Sequence, residues 1–383
     1  MGQLHDWLDL AVIDIDQSQC LNYKSTRTIC QRCVEVCPTD ALQISDGRVF
    51  IKEKLCVDCT ACVSSCPTLS IDYSPKPFSK TINEIKAYPD VRITCNQFDK
   101  YQKGIKIPCY RYLDEAMVFH YMTVQNERTG TLSAADGCYS LELFVGKCQT
   151  CKYNSLYQIE DHLHQLQQWF EQIGIAIEFR LCKDDQPYLE KQDETVSGIT
   201  RRSLLKSFGF RRLKEPEQEN KIEADNLSYR KKYHYKRKLL QKGLTKFRTE
   251  IYPVKASDIK YMPSNQFAFI DKTDNCRKCD ICMNVCPTGA LVWKHDENLA
   301  ELHFDPQMCI ACHRCEICPE KSISLVPLTI DQYFSEQVHV LTSLKVRKCS
   351  DCKDVFKVDM LQPEQTLCQL CQIKEEKIRA LFG

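Results

Sequence analysis

The sequence predicts an α+β multidomain chain: two small cysteine-rich modules, a small α/β domain between them, and a C-terminal four-thiolate ribbon. Three observations carry this reading. Four cysteine clusters that each end in Cys-Pro stand in two pairs, one early in the chain and one late. Between the pairs, apolar residues alternate with period two, then recur with a helical period, then alternate again. Two further C-x2-C knuckles close the chain.

At 383 residues the chain has room for several domains. Its 26 cysteines lie mostly in C-x-x-C clusters, and the opening MGQLHDWLDLAVID lacks the basic and apolar regions of a signal peptide. No run of about 18 apolar residues occurs. The expectation is a cytoplasmic protein whose cysteines are reduced and metal-bound. The formal charge of +1 hides an asymmetry. Thr200–Lys255 holds 17 Lys/Arg against 6 Asp/Glu, a net of +11, while the rest holds 35 against 45, a net of −10.

The first module is expected over residues 1–80. Cys20 stands alone; Cys30-x2-Cys33-x3-Cys37-Pro38 and Cys56-x2-Cys59-x2-Cys62-x3-Cys66-Pro67 follow. Cys37 and Cys66 are 29 positions apart, which marks an internal duplication. Three thiolates on a tight loop can hold three corners of an iron–sulfur cube, and the cysteine before proline serves a second cube. Proline fixes φ and donates no hydrogen bond, so it suits the exit from such a loop. Ala41–Ile44 and Thr68–Ile71 then read as short strands.

On these motifs, residues 20–75 resemble a bacterial two-cluster ferredoxin. In that family each motif gives three ligands to its near cluster and its last cysteine to the other. The resemblance implies one [4Fe-4S] cluster on Cys20, Cys30, Cys33 and Cys66, and a second on Cys37, Cys56, Cys59 and Cys62. Cys20 lies ten positions before Cys30 rather than three, which leaves a three-iron cluster, or a site with a labile fourth corner, open as alternatives there.

Residues 85–185 read as the α/β domain. Val91–Thr94, Ile105–Ile107, Leu141–Val145 and Ile175–Leu181 have strand patterns; Tyr110–Tyr121 and Ser155–Ile173 have helical ones, the second with a Ser155/Gln158 capping-box pattern and Gly174 to end it. Strands alternating with helices predict a mainly parallel sheet. Cys95, Cys109, Cys148 and Cys151 fall at strand ends, where such folds bind ligands. The run Ala135–Tyr153, with Val91-Arg-Ile and Pro108-Cys109, resembles the delta-subunit domain of methyl-viologen-reducing hydrogenases. That resemblance implies a small iron–sulfur cluster on these cysteines; zinc or plain thiols are the alternatives. Cys138 and Cys182 are expected in the core.

Residues 186–262 read as a basic, partly helical linker. Thr200–Lys206 has the look of a twin-arginine signal, but it is internal. Tyr229, Tyr233, Leu240, Leu244 and Phe247 share one helical face among basic residues. The readings are a helix packed on neighbouring modules, a docking surface for an acidic redox partner, and, last, a nucleic-acid contact.

Residues 265–330 repeat the first plan with Cys276-x2-Cys279-x2-Cys282-x3-Cys286-Pro287 and Cys309-x2-Cys312-x2-Cys315-x2-Cys318-Pro319. The same ferredoxin resemblance implies a third cluster on Cys276, Cys279, Cys282 and Cys318, and a fourth on Cys286, Cys309, Cys312 and Cys315. The last cysteine comes one residue early. In the tail, 345–383, Cys349-x2-Cys352-x15-Cys368-x2-Cys371 reads as a structural zinc ribbon, with a single tetrahedral iron as the alternative, followed by a helix over Glu375–Phe382.

No G-x-G-x-x-G turn, P-loop or H-E-x-x-H is present. The expectation is therefore an electron carrier without catalytic residues. It would pass single electrons through up to four clusters to a redox enzyme of the formate dehydrogenase, hydrogenase or reductase type. The alternatives are a redox subunit of a hydrogenase/heterodisulfide-reductase-like complex and an iron–sulfur-dependent regulator that binds nucleic acid.

Overall fold

The computed structural model describes residues 12–23, 25, 29–87, 93–96, 105–129, 138–145, 156–183, 234–248, 260–276, 279–335, 338–359 and 364–382. The first module contains β1 (Ile13–Ile15), α1 (Arg32–Glu35), the hairpin β2 (Leu42–Ser45) and β3 (Arg48–Ile51), α2 (Ala61–Ser65) and β4 (Ile71–Tyr73). β1 pairs antiparallel with β4, and β2 with β3. Asp46 and Gly47 turn the hairpin with φ of 49° and 68°, both positive as a tight type I′ turn requires. A Cβ on Gly47 would meet the Asn22 carbonyl oxygen at 2.6 Å. The glycine thus turns the hairpin and lets the Cys20 loop lie against it.

The middle domain runs α3 (Phe78–Ala87), β5 (Ile93–Cys95), β6 (Ile105–Ile107), α4 (Glu115–Thr129), β7 (Tyr139–Val145), α5 (Leu156–Gln172) and β8 (Ile177–Lys183). Its four strands lie in the order β6-β5-β7-β8, all parallel. The helix expected over Tyr110–Tyr121 starts later and runs further. Tyr110–Tyr112 form a 3-10 turn. Asp114 then accepts the Met117 N–H at 2.8 Å, the N-cap bond that an aspartate side chain is suited to make. Gly174, at φ 87°, ends α5. Ser155 lies outside the described residues, and Cys138 and Cys182 are half-buried at the sheet rim rather than in the core.

Next come α6 (His234–Lys246), β9 (Phe269–Lys272), α7 (Ile281–Val285), β10 (Leu291–His295), β11 (Leu299–Phe304), β12 (Ile323–Val326), α8 (Ile330–Phe334), β13 (His339–Lys348), β14 (Val355–Asp359) and α9 (Gln369–Phe382). β9 pairs with β12, while β10, β11, β13 and β14 form one antiparallel sheet. The tail therefore continues the hairpin of the second module. No described helix is long and apolar enough to cross a membrane.

α6 is the keystone. Leu240, Leu244 and Phe247 are buried with Phe119, Phe170, Phe267 and Tyr333 in one core that joins the middle domain to the second module. A Cβ on Gly243 would stand 2.5 Å from Phe119, so only glycine lets α6 approach α4 this closely. Lys236 pairs with Asp114 at 2.7 Å and donates to the Ser64 and Cys66 carbonyls. The next residue, Arg237, donates to Gln307 O at 2.8 Å and Gln266 O at 3.2 Å. Successive cations thus grip opposite modules. Both are buried, which removes them from the docking surface expected of this basic segment. Tyr229, Tyr233 and residues 200–206 lie outside the described residues.

Candidate iron–sulfur centres and the seam between them

Cys20, Cys30, Cys33 and Cys66 line one small cavity of about 20 Å³. The displaced Cys20 arrives there because Asn22 closes its loop. The Asn22 amide donates to Cys30 O at 2.7 Å and accepts the Ile29 and Cys30 N–H groups at 2.7 and 3.0 Å. Burial first, then the neighbouring Cys66, Cys30 and Cys20 thiolates, push the Cys33 thiol up to about 12. Cys37, Cys56, Cys59 and Cys62 line a second cavity of the same size. There, burial raises Cys59 against the pull of the Arg111 guanidinium, whose Nη1 lies 3.7 Å from the Cys59 sulfur.

In the second module the cysteines influence one another in the same combinations. Cys282 is pushed up to about 11 by burial, with the Cys276, Cys279 and Cys318 thiolates adding to it. Cys315 is raised by burial and by Cys312, Cys309 and Cys286. A quartet of buried thiolates repels itself unless a cationic centre sits among them. Such a centre reverses the pKa logic and holds the thiols ionised.

The exits from these loops repeat down to single atoms. The third residue after each Cys-Pro cysteine has positive φ: Asp40 51°, Leu69 52°, Gly289 72° and Lys321 51°. A hydroxyl lies near each of the same four sulfurs: Thr39 at 3.8 Å from Cys37, Thr68 at 3.6 Å from Cys66, Thr288 at 3.6 Å from Cys286, and Ser322 at 3.2 Å from Cys318. Three are written as Cys-Pro-Thr in the sequence, a signal open to inspection. In the fourth, Glu320 replaces the threonine and Ser322 takes its place.

In the tail, the sulfurs of Cys349, Cys352, Cys368 and Cys371 lie within 4.8 Å of one another, with Cys352 and Cys368 at 3.7 Å. The Cys368 N–H lies 3.3 Å from the Cys349 sulfur. This bond leads the backbone donors that hold Cys349 below the usual thiol range. In the middle domain, Cys95 ends β5 and Cys109 follows β6. Both are buried. Cys109 is pushed up to about 12, by burial first and also by Cys59 and Cys95. Cys109 therefore lies near Cys59 of the second quartet. Cys148 and Cys151 lie outside the described residues.

Arg111, Asn22, Lys236 and Arg237 had no motif to announce them. Each acts through contacts to residues remote in sequence, such as Arg111 Nη2 on Val36 O at 2.6 Å.

Two cysteine modules with crossed quartets define an iron–sulfur electron carrier of ferredoxin type. The comparisons agree: families described as "4Fe-4S dicluster domain" match residues 28–71 and 275–322. The protein named "Ferredoxin 7Fe" from Hydrogenibacillus schlegelii is 34% identical over 55 residues, 14% of this chain and 70% of that one. An uncharacterized ferredoxin of Methanocaldococcus jannaschii is 34% identical over 73 residues, 18% of this chain and 37% of its own length. A ferredoxin of Alicyclobacillus acidocaldarius is 44% identical over 39 residues, 10% of this chain and 50% of its own. The chain belongs to the ferredoxin family through these modules, and it spans half or less of the last two relatives.

Proposed function

We propose that this chain relays single electrons through up to four [4Fe-4S] clusters, to or from a partner oxidoreductase in the cytoplasm. The observation that carries the reading is the gathering of cysteines from separate motifs around two cavities of the first module, with the same motif plan repeated in the second. Cys20, Cys30, Cys33 and Cys66 would hold the first cluster; Cys37, Cys56, Cys59 and Cys62 the second; Cys276, Cys279, Cys282 and Cys318 the third; Cys286, Cys309, Cys312 and Cys315 the fourth. A bound cube takes up and releases one electron. The chain's own groups tune that step. Hydroxyls beside Cys37, Cys66, Cys286 and Cys318, and Arg111 beside Cys59, favour the more negative reduced state.

The tail quartet suits one tetrahedral ion. Zinc–sulfur bonds of about 2.3 Å at tetrahedral corners set sulfurs about 3.8 Å apart, close to the 3.7 Å of Cys352 and Cys368. We assign it a structural zinc. Cys95 and Cys109, with Cys148 and Cys151, are proposed to hold a further small cluster. The nearness of Cys109 to Cys59 favours the second reading, a redox subunit of a hydrogenase/heterodisulfide-reductase-like complex with an entry point in the middle domain. The partner is a redox enzyme of the formate dehydrogenase, hydrogenase or reductase type.

Metal analysis with EPR on anaerobically purified protein tests this. Four cubes and one ribbon require about 16 iron and about one zinc. Iron near 15 would mark a three-iron cluster at the Cys20 corner, and iron clearly above 16 a cluster in the middle domain. A chain that dithionite cannot reduce overturns the electron-transfer reading.

A further inference from the structure

A cavity of about 620 Å³ opens where the first module, the middle domain, α6 and the second module meet. That volume suits a molecule of drug or mononucleotide size. Its wall includes Pro38 beside Cys37, Pro67 beside Cys66, and Ile310 beside Cys309, so it touches both cysteine modules.

Four cations line it, Arg32, Arg111, Lys236 and Arg237, and so do four carboxylates, Glu35, Asp114, Glu115 and Asp161. Lys236 spends its three donors on Asp114, Ser64 O and Cys66 O. Arg111 donates to Val36 O at 2.6 Å and Gln158 Oε1 at 3.2 Å. Arg32 donates to Asn265 O. Arg237 differs. Its Nε and Nη1 are used, but Nη2 is buried with no hydrogen-bond partner among the described residues. The indole Nε1 of Trp169, another lining residue, is buried and equally unpartnered there. The two residues are 4% and 5% exposed. One ring holds both in place: the Arg237 guanidinium lies 4.1 Å from the Phe267 centroid, and Trp169 lies 6.4 Å from it.

An unmade hydrogen bond from a buried donor is costly, more so from a charged one. Both unmet groups here are donors and one is cationic, so the group that completes them carries acceptor oxygens and negative charge. The geometry points to a binding site for a small organic anion, a carboxylate or phosphate ester, received by Arg237 Nη2 and Trp169 Nε1 in the seam between the two cysteine modules. This site stands apart from the electron relay; its occupancy needs no assumption about cluster number.

Anaerobic isothermal titration of the full-length chain, with cluster content checked by absorbance, tests it with three probes: citrate, adenosine monophosphate and flavin mononucleotide. Saturable binding of citrate alone assigns a carboxylate ligand; binding of either nucleotide assigns a phosphate ester. Trp169→Phe keeps an aromatic ring, smaller than the indole, and loses the N–H. Arg237→Lys keeps the charge and loses Nη2. Each is expected to weaken binding by roughly tenfold or more. No saturable heat from any probe at millimolar concentration, with clusters intact, means the cavity holds water only and overturns the proposal. So does binding that neither variant weakens. Should one variant lose its clusters, the other still decides.

Discussion

Before its last Cys-Pro step the first module has an α-helix, Ala61–Ser65, whereas the second has a 3-10 turn, Arg314–Ile317. The cause is one deleted residue, since Cys62-x3-Cys66 becomes Cys315-x2-Cys318. Five residues at the α rise span about 7.5 Å, and four at the 3-10 rise span about 8 Å. Tighter winding restores the reach, and Cys318 still lies near enough to Cys282 to help raise its thiol. The first module solves the opposite problem. There the chain between Cys20 and Cys30 is too long, and Asn22 and Gly47 fold the excess back. One ligand geometry tolerates a deletion and an insertion because local backbone absorbs each. The modules also differ in bracing: the first leans on the middle-domain helices, while the second shares a sheet with the tail.

Replacing the two irregular cysteines would break this comparison most sharply. Cys20→Ser is expected to cost one iron and bring a three-iron EPR signal, because a loop tied by Asn22 leaves the other three ligands in place. Cys318→Ser is expected to do the same in the second module. Iron content unchanged in either variant would remove that cysteine from its quartet.

The bracing comes next. Lys236→Met leaves the Asp114 carboxylate buried without its cation, and breaking a buried pair costs about 3–5 kcal/mol. Denaturant unfolding reads this, and Asp114→Asn, which keeps the cap oxygen, added to Lys236→Met is expected to recover most of it. A loss under about 1 kcal/mol would mean that α6 does not clamp the first module.

His162, on α5 beside the seam, sharpens the contrast through pH. Burial holds its imidazole down to about 4, and it lies 2.8 Å from Leu113 O. A buried neutral histidine stabilises the fold fully above its unfolded pKa of about 6.5, and that contribution is lost as pH falls toward 4. The expected slope is about 1.4 kcal/mol per pH unit across that window. His162→Asn should flatten this slope in denaturant midpoints measured from pH 7 to 5; an unchanged slope would show that His162 protonates freely.

The smallest effect is expected at the sulfur hydroxyls. Thr288→Val and Ser322→Ala each remove a donor from one thiolate of the second module, so the potential of the adjacent cluster should fall while its iron stays. Thin-film voltammetry reads the shift, and a rise in potential would reverse the role given to these hydroxyls.

Much of this architecture could be read from the chain alone, because iron–sulfur loops are written in local spacing. The strands after each Cys-Pro, at Leu42–Ser45, Ile71–Tyr73, Leu291–His295 and Ile323–Val326, follow from a proline exit and alternation. α5 followed from its apolar face. Tyr110–Tyr112 read from sequence as the first turn of α4, yet they form a 3-10 turn and Asp114 caps a new helix after them. The linker helix packs on its neighbours through Leu240, Leu244 and Phe247, the first of its readings, but the role of its cations is not legible in the sequence. Its charge suggested an outward face, yet Lys236 and Arg237 turn inward to backbone carbonyls of two modules.

Sequence by itself determined which cysteines could act together, since ligand loops need a few residues at set spacing and a proline to leave by. Tertiary structure alone decided that Cys20 reaches its quartet, that the tail extends the second module's sheet, and that the basic helix is a buried clamp. The physical reason is one of range. Ligand spacing is a property of about ten neighbouring residues, whereas a buried cation is chosen by carbonyls and carboxylates that only folding brings to it.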